Sequence, residues 1–418
     1  MHRFYDVHMH LMTLEHPSLV PFLMGSNEAG DFVKSGMFSP SFILGGRNLK
    51  GGTLVHNMGN LLQCMTGPME RILTLLERDL RGEFIQRSAD THYPAMPFWQ
   101  DGKFWFRGKA YERIVICPLL MDFSEDPKEL ERLYYESPVE DRIFRYAEEM
   151  LEAMRIYKQN REDGRLFDIL PFIGITPRVH TEHEVERLLA YLEKGFVGVK
   201  VYPPLGFNPW PRDRQERRKV EMIYELCQWN SIPIITHCDD QGFRIVPYQT
   251  AWKWSRPNGW IQVLDKYPEL KIDFAHFGTT YAIQNQNLHV VARQCLSSLW
   301  SHELLELMHR YPNIYGDLSY SGTNPLFYQR LRMELANGEE EIKERILFGS
   351  DWSINLMKIE SYSAYLELLE ESPFSDQDIN LFATINPERF LNILGTNDET
   401  YNKPDPEGSG HAKKIPEA

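Results

Sequence analysis

The feature that most limits the folds open to this chain is an alternation that sets in near residue 113. Short apolar runs rich in β-branched residues, at 114–120, 169–175, 197–202, 232–237, 271–276, 313–318 and 346–351, alternate with longer segments whose apolar residues recur at helical spacing. Helices are expected at 139–158, 182–194, 214–229, 325–343 and 359–371. The later strand ends follow one another about 34 to 41 residues apart, the length of a strand, a helix and modest loops. Strand followed by helix, repeated, calls for parallel strands joined by crossovers. With one more strand at the start of the chain there are eight, and the expected fold is α/β, a single (β/α)8 TIM barrel.

Such a barrel gathers the carboxyl ends of its strands around one mouth, so the residues ending the strands matter most. The first strand carries Asp6-Val7-His8-Met9-His10. By strict alternation Asp6, His8 and His10 share a face, and two imidazoles so placed can share a metal. Lys200 ends the fourth strand, His237 the fifth, His276 the sixth, Asp317 the seventh and Asp351 the eighth. Each has an ordinary explanation alone, a hydrogen-bonded strand-end histidine or a Ser350-Asp351 helix cap. Their joint occurrence at successive strand ends points to a site.

These motifs, together with Gly198-Val199-Lys200-Val201-Tyr202-Pro203, Ile235-Thr236-His237, Phe274-Ala275-His276-Phe277-Gly278, Gly349-Ser350-Asp351-Trp352 and Asn386-Pro387-Glu388-Arg389-Phe390, resemble the amidohydrolase superfamily, and within it amidohydrolase family 2. The resemblance implies that His8, His10, His237 and Asp351 surround a divalent metal, usually zinc. His276 and Lys200 are then candidates for a second metal or for catalysis. Imidazole and carboxylate suit zinc, and a water activated by the ion could pass its proton to Asp351. In some relatives the lysine is carboxylated and bridges two ions; in others it is unmodified, and an unmodified ammonium cannot ligate a cation. Many relatives carry histidine where this chain has Tyr202. Arg178 and His180, after the third strand, are candidates for holding a substrate carboxylate, with Tyr202 beside them. Asp239 and Asp240 read as loop caps.

Three functions fit. The first is a metal-dependent hydrolase acting on an amide, ester or lactone of a small molecule. The second is a metal-dependent non-oxidative decarboxylase acting on a carboxylated small molecule. The third is a non-catalytic barrel that keeps its ligands for stability. The net charge of −14 argues against nucleic-acid or anionic-membrane partners, which need clustered Lys and Arg. No apolar run is long enough to span a bilayer, and with a strand expected within a few residues of Met1 no signal peptide is expected. The five cysteines are scattered without a Cys-x-x-Cys, so a reducing cytoplasm is expected. A homo-oligomer is compatible with all of this.

The stretch of about 11–111 is too long and too mixed for one crossover and reads as a large insertion after the first strand. It holds a helix near 61–80 and an Asp101-Gly102 hairpin, and serves either as a lid or wall of the pocket or as a packing element. The barrel is expected to fill residues 1–395. Asn386 is expected to cap a last short helix, and 396–418 reads as a flexible tail.

Overall fold

The computed structural model describes residues 2–16, 54–83, 97–124, 142–160, 166–240, 242–280, 299–337 and 339–393. After β1 (Arg3–Met9) comes a small antiparallel sheet of β2 (Trp99–Gln100), β3 (Lys103–Phe106) and β4 (Lys109–Tyr111). The parallel strands follow: β5 (Arg113–Pro118), β6 (Phe167–Ile169), β7 (Phe172–Gly174), β8 (Gly198–Val201), β9 (Ile234–Thr236), β10 (Ile272–Phe274), β11 (Ile314–Asp317) and β12 (Ile346–Leu347). Every predicted run contains at least one of them, so the α/β reading and the parallel order hold.

The expected single closed barrel is corrected in one respect. The strands form two parallel sheets, β1-β5-β6 and β12-β11-β10-β9-β8-β7. The run at 169–175 breaks at Leu170-Pro171, where proline has no N–H to give the ladder, and its halves fall in different sheets. The sheet edges nevertheless meet at both ends. Isolated bridges pair Met9 with Trp352 and Leu119 with Phe172. Val7 N–H donates to Phe348 O at 3.0 Å, and Leu120 N–H to Phe172 O at 3.0 Å.

Two apolar clusters hold this arrangement. A smaller one gathers Tyr5, Val7, Val115, Cys117, Phe172, Ile235, Tyr315 and Leu347 from the parallel strands and is plugged by Phe390, Leu391 and Ile393. The larger takes the opposite strand faces and the helices, for example α1 (Arg214–Trp229), which buries Val220, Ile223, Tyr224 and Cys227 on one stripe. The four described cysteines are buried free thiols. Among the described residues no helix is long and apolar enough to cross a membrane.

Between β1 and β5 the expected helix near 61–80 is two, Leu54–Met65 and Met69–Leu80, because Gly67 (φ 95°) and Pro68 end the first and open the second. The hairpin stands where Asp101-Gly102 places it, both residues at positive φ, and its Phe104, Phe106 and Tyr111 rings pack on Phe4 at 4.9, 5.3 and 5.4 Å. Asn386 is not an N-cap. It continues the helix from Leu381–Ile385, and its side-chain amide donates to Lys343 O and Ile346 O at 2.7 and 2.8 Å. The expected tail at 396–418 lies outside the described residues.

Candidate active site

Strict alternation in β1 would place His8 with Asp6. The register runs Asp6↔Ile116 and then Met9↔Pro118, so β1 carries one extra residue, a bulge. Tyr5 and Val7 face the smaller cluster while Met9 joins the larger one with Phe4, and the histidines are re-aimed. Asp6 is left behind, accepting from His8 N–H at 3.2 Å and Ser350 N–H at 3.0 Å. Burial raises its carboxyl to about 7.

His8, His10 and Asp351 converge. His8 Nε2 lies 3.3 Å and His10 Nε2 3.1 Å from Asp351 Oδ1, and all three residues are buried. Each offers a ligand atom within 4.8 Å of the others. Their outer nitrogens fix the tautomers. His10 Nδ1 is 2.8 Å from Leu119 O, and His8 Nδ1 is 2.6 Å from Asp317 Oδ2. A carbonyl or carboxylate oxygen can only accept, so each Nδ1 carries the proton and each Nε2 turns a lone pair inward. Two lone pairs facing a carboxylate oxygen is an arrangement that wants a cation or a proton between them. His8 Nε2 makes no hydrogen bond. Burial opposes ionisation of Asp351, but when protons on the His10 and His8 Nε2 atoms fill that place, these imidazoles hold its carboxyl well below the usual range.

His276 joins them from the sixth strand by another irregularity. Phe274 packs outward against Trp260 in the larger core, so simple alternation would carry His276 outward too. A left-handed φ of 61° turns it back. Its ring lies 5.1 Å from His8 and 5.0 Å from His237. Its Nδ1 donates to Ser319 O at 3.2 Å and meets Ser319 Oγ at 2.9 Å, leaving Nε2 toward His237 Nδ1 at 3.2 Å. Burial lowers this imidazole to about 4, so it is neutral near pH 7. Asp317 ties the group together: it also accepts from His276 N–H at 2.9 Å and Ser319 N–H at 3.0 Å, and from Ser319 Oγ. The carboxyl of Asp273 is buried next to it. Burial and Asp317 push Asp273 well above the usual range, so Asp273 holds the proton while Asp317 stays ionised.

His237 stands in a neighbouring triple with Asp239 and His276 rather than in the His8–His10–Asp351 group. Its Nε2 is 3.0 Å from Asp239 Oδ1, so Asp239, read from sequence as a loop cap, belongs to the site. Tyr202 stacks on His237, ring centroids 4.3 Å apart. Gly242, at φ 94°, brings the next loop onto this stack. A Cβ there would overlap Tyr202 Oη and stand 3.1 Å from the His237 ring. Together His10, Tyr202, His237, Asp239, His276 and Asp351 line one pocket with Met121, Phe243, Tyr320, Ile354 and Met357, around a cavity of about 40 Å³.

The remaining sequence candidates fare differently. Lys200 is buried in the field of Asp317, Asp351, Asp273 and Asp239, its Nζ without a hydrogen bond and 5.7 Å from the Tyr202 ring. Burial lowers its amine to about 8. His180 Nε2 pairs with Asp122 Oδ2 at 2.7 Å, away from the residues lining the pocket, and Asp122 also accepts Thr176 N–H at 2.8 Å. Arg178 is exposed beside Gly206 and does not line the pocket.

Sequence reasoning missed Asp273, Ser319, Tyr320 and Lys358. Tyr320 lines the pocket at φ 54°, and Asp351 itself sits at φ 60°. Three side-chain-bearing residues in the left-handed region within one site, each costing about 1–3 kcal/mol, mark a place where packing over-determines the backbone. No residue-type pattern signals this.

The amidohydrolase family model matches residues 163–393, more than half of the chain. The chain belongs to the amidohydrolase family. Solved structures similar to this amidohydrolase include a probable 2-pyrone-4,6-dicarboxylic acid hydrolase from Acinetobacter baumannii with citric acid bound, 11% identical over 93% of this chain and 99% of that one, TM-score 0.48. Another is 2,6-dihydroxybenzoate decarboxylase complexed with 2,6-dihydroxybenzoate, 12% identical over 94% and 100%, TM-score 0.48. A third is a dihydroxybenzoic acid decarboxylase from a Polaromonas species with bound manganese and the inhibitor 2-nitroresorcinol, 15% identical over 94% and 98%, TM-score 0.49. No curated protein matches the chain.

Proposed function

We propose that this amidohydrolase is a metal-dependent hydrolase that attacks an amide, ester or lactone of a small molecule, on a scaffold of the (β/α)8 type. A divalent ion, zinc before others for a nitrogen-and-oxygen donor set, would be held by His8, His10 and Asp351, with His237 and His276 beside it. The observation that carries this reading is the pair of inward-facing lone pairs on His8 and His10, both aimed at Asp351 Oδ1 while their Nδ1 atoms are engaged elsewhere. Outer partners of this kind orient metal-binding imidazoles.

When bound, the ion would act as a Lewis acid and lower the pKa of a water at the site. Asp351, kept ionised by its surroundings, takes the proton of the attacking water. The neutral His276 accepts from His237 Nδ1 at its Nε2 lone pair and so holds the His237 ring beside the site. Lys200 counters the accumulated carboxylate charge behind the site. Met121, Phe243 and Met357 give the pocket apolar surface that excludes bulk water.

A second reading, a decarboxylase working at the same site, is favoured by the ammonium of Lys358 near the pocket wall, since a carboxylated substrate must be held before carbon dioxide leaves.

The test is metal analysis of the purified protein and of the variants His8→Ala, His10→Ala and Asp351→Asn, with turnover followed on a panel of lactones, esters, amides and carboxylated aromatics. Metal bound by the wild type and lost from the variants, with hydrolysis, supports the proposal. Carbon dioxide release without hydrolysis replaces it with the lyase. Full metal content and activity in His8→Ala moves the site elsewhere.

A further inference from the structure

The strands that bring His276 and Asp317 to the site open, at their other ends, onto a second cavity. Lys271 and Asn313 stand immediately before β10 and β11, and with Tyr315, Glu388, Arg389 and Asn392 they line a space of about 430 Å³. That falls within the size of small-molecule sites, about 300–1,000 Å³. Its walls come from the amino ends of two strands and from the last helix, Asn386–Phe390, with the turn after it.

Lys271 is half-buried here, and its ammonium has three protons to place. One goes to Arg389 O at 2.7 Å and one to Asn392 Oδ1, both neutral oxygens, which leaves the third for the cavity. Asn392 is held for this by a left-handed φ of 57° and by its own amide, which donates to Ser231 O. Burial lowers the Lys271 amine, and no carboxylate acts against that. Tyr315 comes from the neighbouring strand. It is 6% exposed, its ring lies 5.0 Å from Phe390, and among the described residues its hydroxyl has no hydrogen-bond partner. Burial raises the phenol, and the charges opposing that rise are the Arg389 and Arg345 guanidiniums.

The carboxylates around the cavity are engaged elsewhere. Glu388, the one carboxylate among the lining residues, accepts from Tyr5 Oη at 3.3 Å and perturbs neither Lys271 nor Tyr315. Glu344 pairs with Arg389 at 3.3 Å, but the two side chains are 68% and 41% exposed, and so open a pair is readily exchanged for a better anion. In a chain with 59 acidic residues against 45 basic ones, a cavity that presents an ammonium, a guanidinium and a phenol O–H runs against the overall sign. A partly desolvated ammonium answered only by neutral oxygens favours an anion beside it.

We propose that this cavity is a second ligand site, which takes a phosphate group, either as the free ion or as part of a small molecule. Lys271 Nζ and Tyr315 Oη donate to two of its oxygens and the Arg389 guanidinium to a third. Donors arriving from three separate elements suit a tetrahedral oxyanion better than a planar carboxylate. The site stands apart from the pocket at Asp351, so the inference holds whichever reaction that pocket carries out.

The probes are inorganic phosphate and glycerol phosphate, titrated calorimetrically near neutral pH and at constant ionic strength into the full-length wild type, Lys271→Met, Tyr315→Phe and His8→Ala. Wild type and His8→Ala should bind phosphate within about twofold of each other, while Tyr315→Phe binds it several-fold more weakly and Lys271→Met about tenfold or more. Lys271→Met also strips a donor from Arg389 O; if that variant does not fold, Tyr315→Phe, which keeps the ring against Phe390, decides alone. Glycerol phosphate binding more tightly than phosphate assigns the site to a phosphorylated small molecule, and binding no more tightly assigns it to the free ion. No binding by the wild type, binding unchanged in either cavity variant, or loss of binding in His8→Ala, which would place the anion at the other pocket, would each overturn the proposal.

Discussion

Asp317 Oδ2 lies 2.6 Å from His8 Nδ1, and this contact decides which nitrogen of His8 faces Asp351. Replacing Asp317 by Asn removes the negative charge that fixes the tautomer and lets the amide present an N–H instead. Metal affinity should fall about 10–100-fold, the usual effect of losing such an outer partner. Competition with a chelator of known affinity measures it. An unchanged constant would mean that Ser319 Oγ, 3.1 Å from the same nitrogen, suffices to orient the ring.

Gly242→Ala tests the loop that closes on Tyr202. The left-handed φ of 94° and the overlap of a Cβ with Tyr202 Oη both oppose the change. A loss on the order of 1–3 kcal/mol is expected in denaturant unfolding. Adding Tyr202→Phe removes the overlapping oxygen but not the backbone strain, so the double variant should recover part of the loss. Recovery of all of it would mean that the backbone conformation costs nothing.

The Asp122–His180 pair gives a pH signature. Burial raises Asp122 and lowers His180, but their mutual attraction and hydrogen bond dominate, so the carboxyl ends below its ordinary value and the imidazole above. The Asp122 contribution is present above the unfolded value near ~3.9 and is lost as pH falls through the lower folded value. The His180 contribution is complete below the unfolded value near ~6.5 and is lost as pH rises through the higher folded one. Asp122→Asn should therefore cost most between about pH 4 and 6.5, on the order of 3–5 kcal/mol, and less above. Unfolding curves of both proteins from acid to alkaline pH provide the check. A difference that stays flat would show the pair to be a hydrogen bond without charge.

Phe390 plugs the smaller core with its ring 5.0 Å from Tyr315 and is fully buried. Phe390→Ala should destabilise the protein by about 3–5 kcal/mol. A cost below about 1 kcal/mol, read from urea unfolding, would mean that the last helix is an appendage rather than part of the core.

The parallel order of strands was legible because each run is short, β-branched and followed by a helix, and those properties are local. Lys200, His237, Asp317 and Asp351 could be named because they sit on the same parity as inward residues of their own strands, as Asp317 does with Tyr315. His8 and His276 were named for the wrong geometric reason. The bulge in β1 and the left-handed turn at His276 are set by pairing partners and by Asp317, and neither is written in the residues around them. Lys358 was invisible because nothing about a lysine beyond a strand end says that its turn folds back onto Asp351. Arg178 looked better placed in sequence, directly after the third strand, but its side chain leaves for solvent.

The seam between the first and last parallel strands also orders events in time. Ser350 and Asp351 N–H both donate to His8 O, at 3.1 and 2.7 Å, and Ser353 N–H donates to His10 O at 3.2 Å. The histidines leave the ribosome well before the carboxylate they face, with 341 positions between His10 and Asp351 (351 − 10). Since domains form as units once their chain is out, a growing polypeptide carries half of the cluster with nothing to close it. An ion retained by all three side chains would thus date the molecule: it certifies a chain in which these two distant segments have already met.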